Sequence, residues 1–127
     1  MTDVYYINID EAVWSHFQLM WSWGETYFGI DKIDLIESAL ARPRFAAQYE
    51  EADIIEQAAT LCYGLIKNHP WRGGNKRTAT HLMEHFLLLN GIALNYEIEE
   101  MLILALSVEA DDWKVKEIDQ WLREHTT

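Results

Sequence analysis

Two helix-length apolar segments, separated by a loop that neither a helix nor a strand can cross, constrain this chain more than any other feature. Asp53 and Glu56 have capping-box spacing and precede Ile54, Ile55, Ala58, Ala59, Leu61, Cys62, Leu65 and Ile66, so wide an apolar face that the helix must be central and mostly buried. It runs to Asn68 or His69 and stops at Pro70. The segment "RTATHLMEHFLLLNG" carries Ala79, Leu82, Met83, Phe86 and Leu87 on one face and ends in the stop signal Asn90-Gly91. Two core helices therefore meet at "HPWRGGNKRT", residues 69–78, and hold that decamer between rigid walls.

Helical spacing dominates the rest. Asp10 is placed to cap a first helix with apolar positions Val13, Trp14, Phe17, Met20 and Trp21, closed by Gly24. A second helix starts at Asp31 and is expected to end near Arg42, because Pro43 disfavours helical geometry in the residue before it. Residues 44–53 then form the longest connection, a flap over a site or a solvated loop. A fifth helix is expected from about Tyr96 to Glu109 and a sixth from about Val115 to Glu124. Only "VYYINI" near the start suggests extended chain. The expected fold is all-α, a compact bundle of about six helices with a short N-terminal extended segment, forming a single domain over 1–127.

With half its residues hydrophobic, the chain has the material for a core. A lone cysteine, Cys62, the lack of a leader pattern and the lack of any apolar run near 20 residues point to a soluble cytoplasmic protein with no membrane association. A net charge of -11 repels phosphate at long range and argues against direct nucleic-acid binding. Yet residues 57–83 contain no Asp or Glu, while Lys67, Arg72, Lys76 and Arg77 lie there. The decamer sits in this basic island, which favours an anion site over chance clustering.

Adjacent glycines allow positive φ and close approach of the backbone to a ligand. The following helix offers free N–H groups and its dipole, and Lys76 and Arg77 add full charges. These parts form a phosphate cradle. His69 beside it is a candidate general base, since imidazole accepts a proton near neutral pH.

"NHPWRGGNKRTA" resembles the signature of the Fic/Doc superfamily: His-Pro-Phe, any residue, Asp or Glu, Gly, Asn, Gly or Lys, Arg. "GIDKIDLIESALARPR" and "HFLLLNG" look like segments flanking the motif in death-on-curing (Doc-like) proteins, so the resemblance covers roughly residues 24–95. It implies an all-α Fic/Doc-like fold that binds a nucleoside triphosphate, typically ATP with Mg²⁺, and transfers part of it to a Ser/Thr hydroxyl of another protein. Fic proteins mostly transfer AMP (adenylylation). Doc-type toxins phosphorylate a Thr of a translation elongation factor, and Lys76, with Thr80 in place of a second motif Arg, points to the Doc side. By resemblance His69, Lys76 and Arg77 are the catalytic candidates, with His69 as base. Arg72, Gly73, Gly74, Asn75, Lys76 and Arg77 form the nucleotide- and phosphate-binding set, and Trp71 replaces the Phe that anchors the loop.

The family's magnesium-binding acid is Gly73 here, so the loop supplies no metal ligand. Three outcomes follow: an enzyme whose metal is held by nucleotide and water, an enzyme with a ligand relocated to Glu50, Glu51 or Asp53, or a catalytically impaired nucleotide- or partner-binding module. A competing pattern, "HLMEH" from His81 to His85, fits H-x-x-E-H, with Glu84 as base beside a zinc ion; two ordinary surface histidines explain it better. The family's inhibitory string, Ser or Thr, three residues, Glu, then Gly or Asn, does not occur. The resemblance thus implies restraint by an antitoxin protein bound in trans. A non-enzymatic reading, with the Trp and Tyr residues as a partner surface, competes with simple burial of those rings.

Overall fold

The computed structural model describes residues 3–127. Among them, six helices form an all-α bundle: α1 Ile9–Ser22, α2 Ile33–Glu50, α3 Ile54–Asn68, α4 Asn75–Leu89, α5 Ile98–Glu109 and α6 Val115–His125. Only two isolated β-bridges occur among these residues, Ile30 with Trp71 and Leu94 with Thr126. The central element is α3, which packs against α2, α4, α5 and α6. Ala58, Ala59, Leu61, Cys62, Gly64, Leu65 and Ile66 are all buried on it, as its wide apolar face requires. Gly64 lets α2 come close, since a Cβ there would lie 2.7 Å from Arg42 Cδ. Burial in this core raises the Cys62 thiol pKa to about 12, which leaves it inert.

The ends of α3 obey local chemistry. The Asp53 carboxylate accepts the Glu56 N–H at 2.9 Å, one half of the expected capping box. At the other end His69 adopts the left-handed conformation (φ 51°, ψ 52°) as C-cap, its N–H bonded to the Leu65 carbonyl.

Four expectations need correction. The second helix does not stop at Arg42; α2 runs through Pro43 to Glu50, so residues 44–50 are helix and only Glu51–Asp53 connect it to α3. The buried series Ile36, Ala39, Pro43, Ala46 keeps helical spacing across the proline. Burial along that face offsets the roughly 3 kcal/mol of an interior proline, and Glu51 in the left-handed region ends the helix instead. There is no flap.

The first helix is capped by Asn8, not Asp10: its side chain accepts the Glu11 N–H at 2.8 Å, and Glu11 returns the bond to the Asn8 N–H. Its buried stripe is Ala12, His16 and Met20, while Trp14, Phe17 and Trp21 are exposed. Polar His16 hid this face from a hydrophobicity pattern. Residues 3–8 belong to no helix or strand; Asn90, the C-cap of α4, grips the Tyr5 backbone through both ends of its amide, at 2.9 and 3.0 Å.

Candidate functional site

The decamer is stitched to the strap that joins α1 to α2. The Pro70 carbonyl accepts the N–H groups of Asp31 and Lys32 at 3.0 and 3.1 Å, and the Arg72 N–H donates to the Gly29 carbonyl at 2.8 Å. Trp71 is buried and stacks on the His16 ring at 4.3 Å with planes 15° apart. His16 Nε2 accepts the Gly29 N–H at 3.2 Å, so Nδ1 carries the ring hydrogen and donates it to Thr78 Oγ1 at 2.8 Å. One neutral imidazole thus ties strap, loop and α4 together. Burial lowers its pKa to about 4. Sequence reasoning passed over His16; the only signal was its place in the i, i+4, i+8 series of Ala12 and Met20.

Within the loop, Asn75 acts as a clamp. Its Oδ1 accepts the Trp71 N–H at 2.9 Å and its Nδ2 donates to the Trp71 carbonyl at 2.8 Å, which fixes the orientation of the amide. The same Nδ2 lies 3.4 Å from His69 Nδ1. With that donor facing Nδ1, the neutral ring keeps its hydrogen on Nε2. Accepting a proton at Nε2 requires giving up this long contact.

His69, Gly73, Gly74, Asn75, Lys76 and Arg77 line one cavity of about 590 Å³. Trp23, Glu25 and Tyr27 of the strap and Ile98, Met101, Leu102 and Ala105 of α5 complete its walls. Gly74 precedes α4 with no side-chain cap, so the first N–H groups of that helix stay available to an anion. The loop residues expected to act together are therefore brought together, apart from Arg72. Its guanidinium turns to Asp31 at 3.0 Å, and it does not line the cavity.

The basic island of the sequence is not basic in space. Lys76 pairs with Glu109 at 2.8 Å, and Arg77 pairs with Glu25 at 3.3 Å while lying 4.3 Å from the Trp23 ring centroid. Lys67 pairs with Asp111. These carboxylates come from the strap and from the end of α5, distant in sequence. The Lys76 and Arg77 pairs are about 40% exposed, so each contributes no more than about 1 kcal/mol and yields to a multiply charged anion.

Gly73 has φ 77°, and a Cβ built there would lie 2.7 Å from the Tyr27 carbonyl oxygen. The strap backbone fills the space that a motif acid would use. Among the described residues no group of three His, Cys, Asp or Glu is arranged to hold a metal ion. Glu50, Glu51 and Asp53 cannot substitute, because they sit at the opposite end of α3 from His69, roughly 22 Å away for 15 residues of helix. Asp53 is also engaged as the α3 cap and by Arg123 at 2.9 Å. Position 73, Glu50, Glu51 and Asp53 therefore offer no magnesium ligand here; the carboxylate in the cavity wall is Glu25, engaged by Arg77.

His81 and His85 lie on the other side of α4, in a groove of about 500 Å³ shared with Glu11 and Trp14 of α1. Their rings are parallel, 6.3 Å apart. Burial and then the neighbouring His85 hold His81 below its ordinary pKa.

An all-α bundle with a His-Pro loop, a glycine turn and an Asn-Lys-Arg helix start around one cavity defines a Fic-fold protein. A family model described as Fic/DOC family matches residues 6–87, from the extended segment through most of α4, and the chain belongs to that family. No curated protein matches it. No helix of the described residues is long and apolar enough to cross a membrane.

Proposed function

We propose that this protein binds a nucleoside triphosphate, ATP in the first instance, in the 590 Å³ cavity and transfers its terminal phosphoryl group to a Ser/Thr hydroxyl of a second protein. The observation that carries this reading is the convergence of His69, the Gly73–Gly74 turn, Asn75, Lys76 and Arg77 on that cavity. The phosphates lie against the first turn of α4 and displace Glu109 from Lys76 and Glu25 from Arg77. The hydroxyl oxygen bonds to phosphorus, the bond to the nucleoside diphosphate breaks, and the hydroxyl proton passes to His69. Lys76 at the motif position that is often Gly favours terminal phosphoryl transfer over adenylylation. On this reading the chain is the toxin of a toxin–antitoxin pair acting in the cytoplasm, with a translation elongation factor as target and an antitoxin restraining it in trans.

A second reading has its own support. Gly73 closed by the Tyr27 carbonyl, and cations neutralised by the chain's own carboxylates, favour a module that binds nucleotide or partner without turnover. Incubating the purified protein with bacterial lysate and ATP labelled at the γ or the α position separates the readings. Label from γ, absent with His69→Ala, supports phosphoryl transfer, and label from α supports adenylylation. No label in either format, with nucleotide still bound by calorimetry, leaves the binding module.

A further inference from the structure

One face of α5 is apolar and open. Ile98, Leu102 and Leu106 follow each other at i, i+4 and i+8, with Ile103 beside them, and they are 70%, 55%, 47% and 56% exposed. The opposite face, Met101, Leu104, Ala105 and Val108, is buried against the bundle. An aliphatic stripe of this length marks a docking surface and not scattered exposure.

The charge around it identifies what docks. From Phe86 to Trp113 the chain contains no Lys, Arg or His, while Glu97, Glu99, Glu100, Glu109, Asp111 and Asp112 all lie there. Glu100, Glu109 and Asp111 have partners in His125, Lys76 and Lys67; Glu99 and Asp112 form no ion pair among the described residues. The stripe is therefore bracketed by carboxylates with uncompensated charge at both ends of α5. A second copy of this chain, with its net charge of -11, and an anionic lipid surface would both be repelled by these acids.

We infer that the exposed face of α5 is the seat of a partner protein's cationic amphipathic helix, which lays aliphatic side chains on Ile98, Leu102 and Leu106 and sets Lys or Arg against Glu99 and Asp112. The seat reaches the cavity, because Ile98 and Leu102 line both. A partner held there stands at the mouth of the site that contains His69. The connection between α2 and α3, only Glu51–Asp53, has no length to reach over such a partner, so α5 carries the contact.

Sedimentation of the full chain and fluorescence anisotropy with labelled helical peptides test this. The probe is a Leu/Lys peptide with leucines at i, i+4 and i+8, set against a scrambled peptide of identical composition and charge. The periodic peptide should bind at least about 10-fold more tightly than the scrambled one. Leu102→Ser with Leu106→Ser should abolish that preference, Trp14→Ser on α1 should leave it, and Glu99→Gln with Asp112→Asn should weaken binding of the periodic peptide several-fold. His69→Ala should bind the peptide normally, so this result stands or falls apart from phosphoryl transfer. Equal affinity for the two peptides, equal loss with the Trp14 variant, or a dimer that the Leu102 and Leu106 changes dissociate would overturn the inference.

Discussion

Restoring the motif acid by Gly73→Asp is expected to damage the fold without creating a metal site. Two costs follow from the structure. At φ 77° a non-glycine residue pays about 1 kcal/mol of backbone strain, Asp less than most. Its Cβ would also sit 2.7 Å from the Tyr27 carbonyl oxygen, which is backbone and can yield only if the strap moves. That movement strains the Gly29 N–H bond to His16 and the Arg72 N–H bond to the Gly29 carbonyl, at about 1 kcal/mol each. The total is about 2–3 kcal/mol, equivalent to roughly 10 °C in Tm for a domain of this size. Urea and thermal unfolding of Gly73→Asp and Gly73→Ala measure it. The alanine should lose most of the same stability, because Cβ alone makes the clash. A Gly73→Asp protein with wild-type stability and new magnesium-dependent transfer would show that the slot admits a carboxylate and would refute the reasoning.

Other perturbations address the same site. His16 is neutral in the fold at about pKa 4 and ordinary when unfolded, so its contribution is complete above about pH 6.5 and is lost as pH falls toward 4. Between pH 7.5 and 5 this amounts to about 2 kcal/mol, read as a fall in urea midpoint that is flatter in His16→Asn. His69 adopts a left-handed conformation that glycine prefers, so His69→Gly should be about 1 kcal/mol more stable than His69→Ala by urea unfolding while both lose transfer. Equal stability would mean that the backbone there carries no strain. Glu25→Gln frees Arg77 from an exposed ion pair and should tighten ATP binding roughly 2- to 5-fold by calorimetry. Unchanged affinity would remove Arg77 from the phosphate contacts.

How much of this was readable in the chain depended on the range of the forces involved. The two core helices and their loop were legible because periodicity, caps and breakers act within a few residues. The extent of α2 was not, because Pro43 is a local stop signal overruled by a buried face of α2, packed against α3, that spans the proline. The α1 face was misplaced for a related reason: His16 is polar by type yet buried, its two nitrogens satisfied by partners 13 and 62 residues away.

The site divides the same way. The residues around the cavity belong to one local motif and could be read directly, whereas its electrostatics could not. Sequence showed 27 residues without an acid, yet Glu25, Asp31, Glu109 and Asp111 return from outside that window to pair with its four cations. A charge-free window measures distance along the chain, and Coulomb energy depends on distance in space. The same strap that brings Glu25 to Arg77 also places the Tyr27 carbonyl where a motif acid would project. Loss of the acid at position 73 and closure of the strap over it are therefore one structural fact.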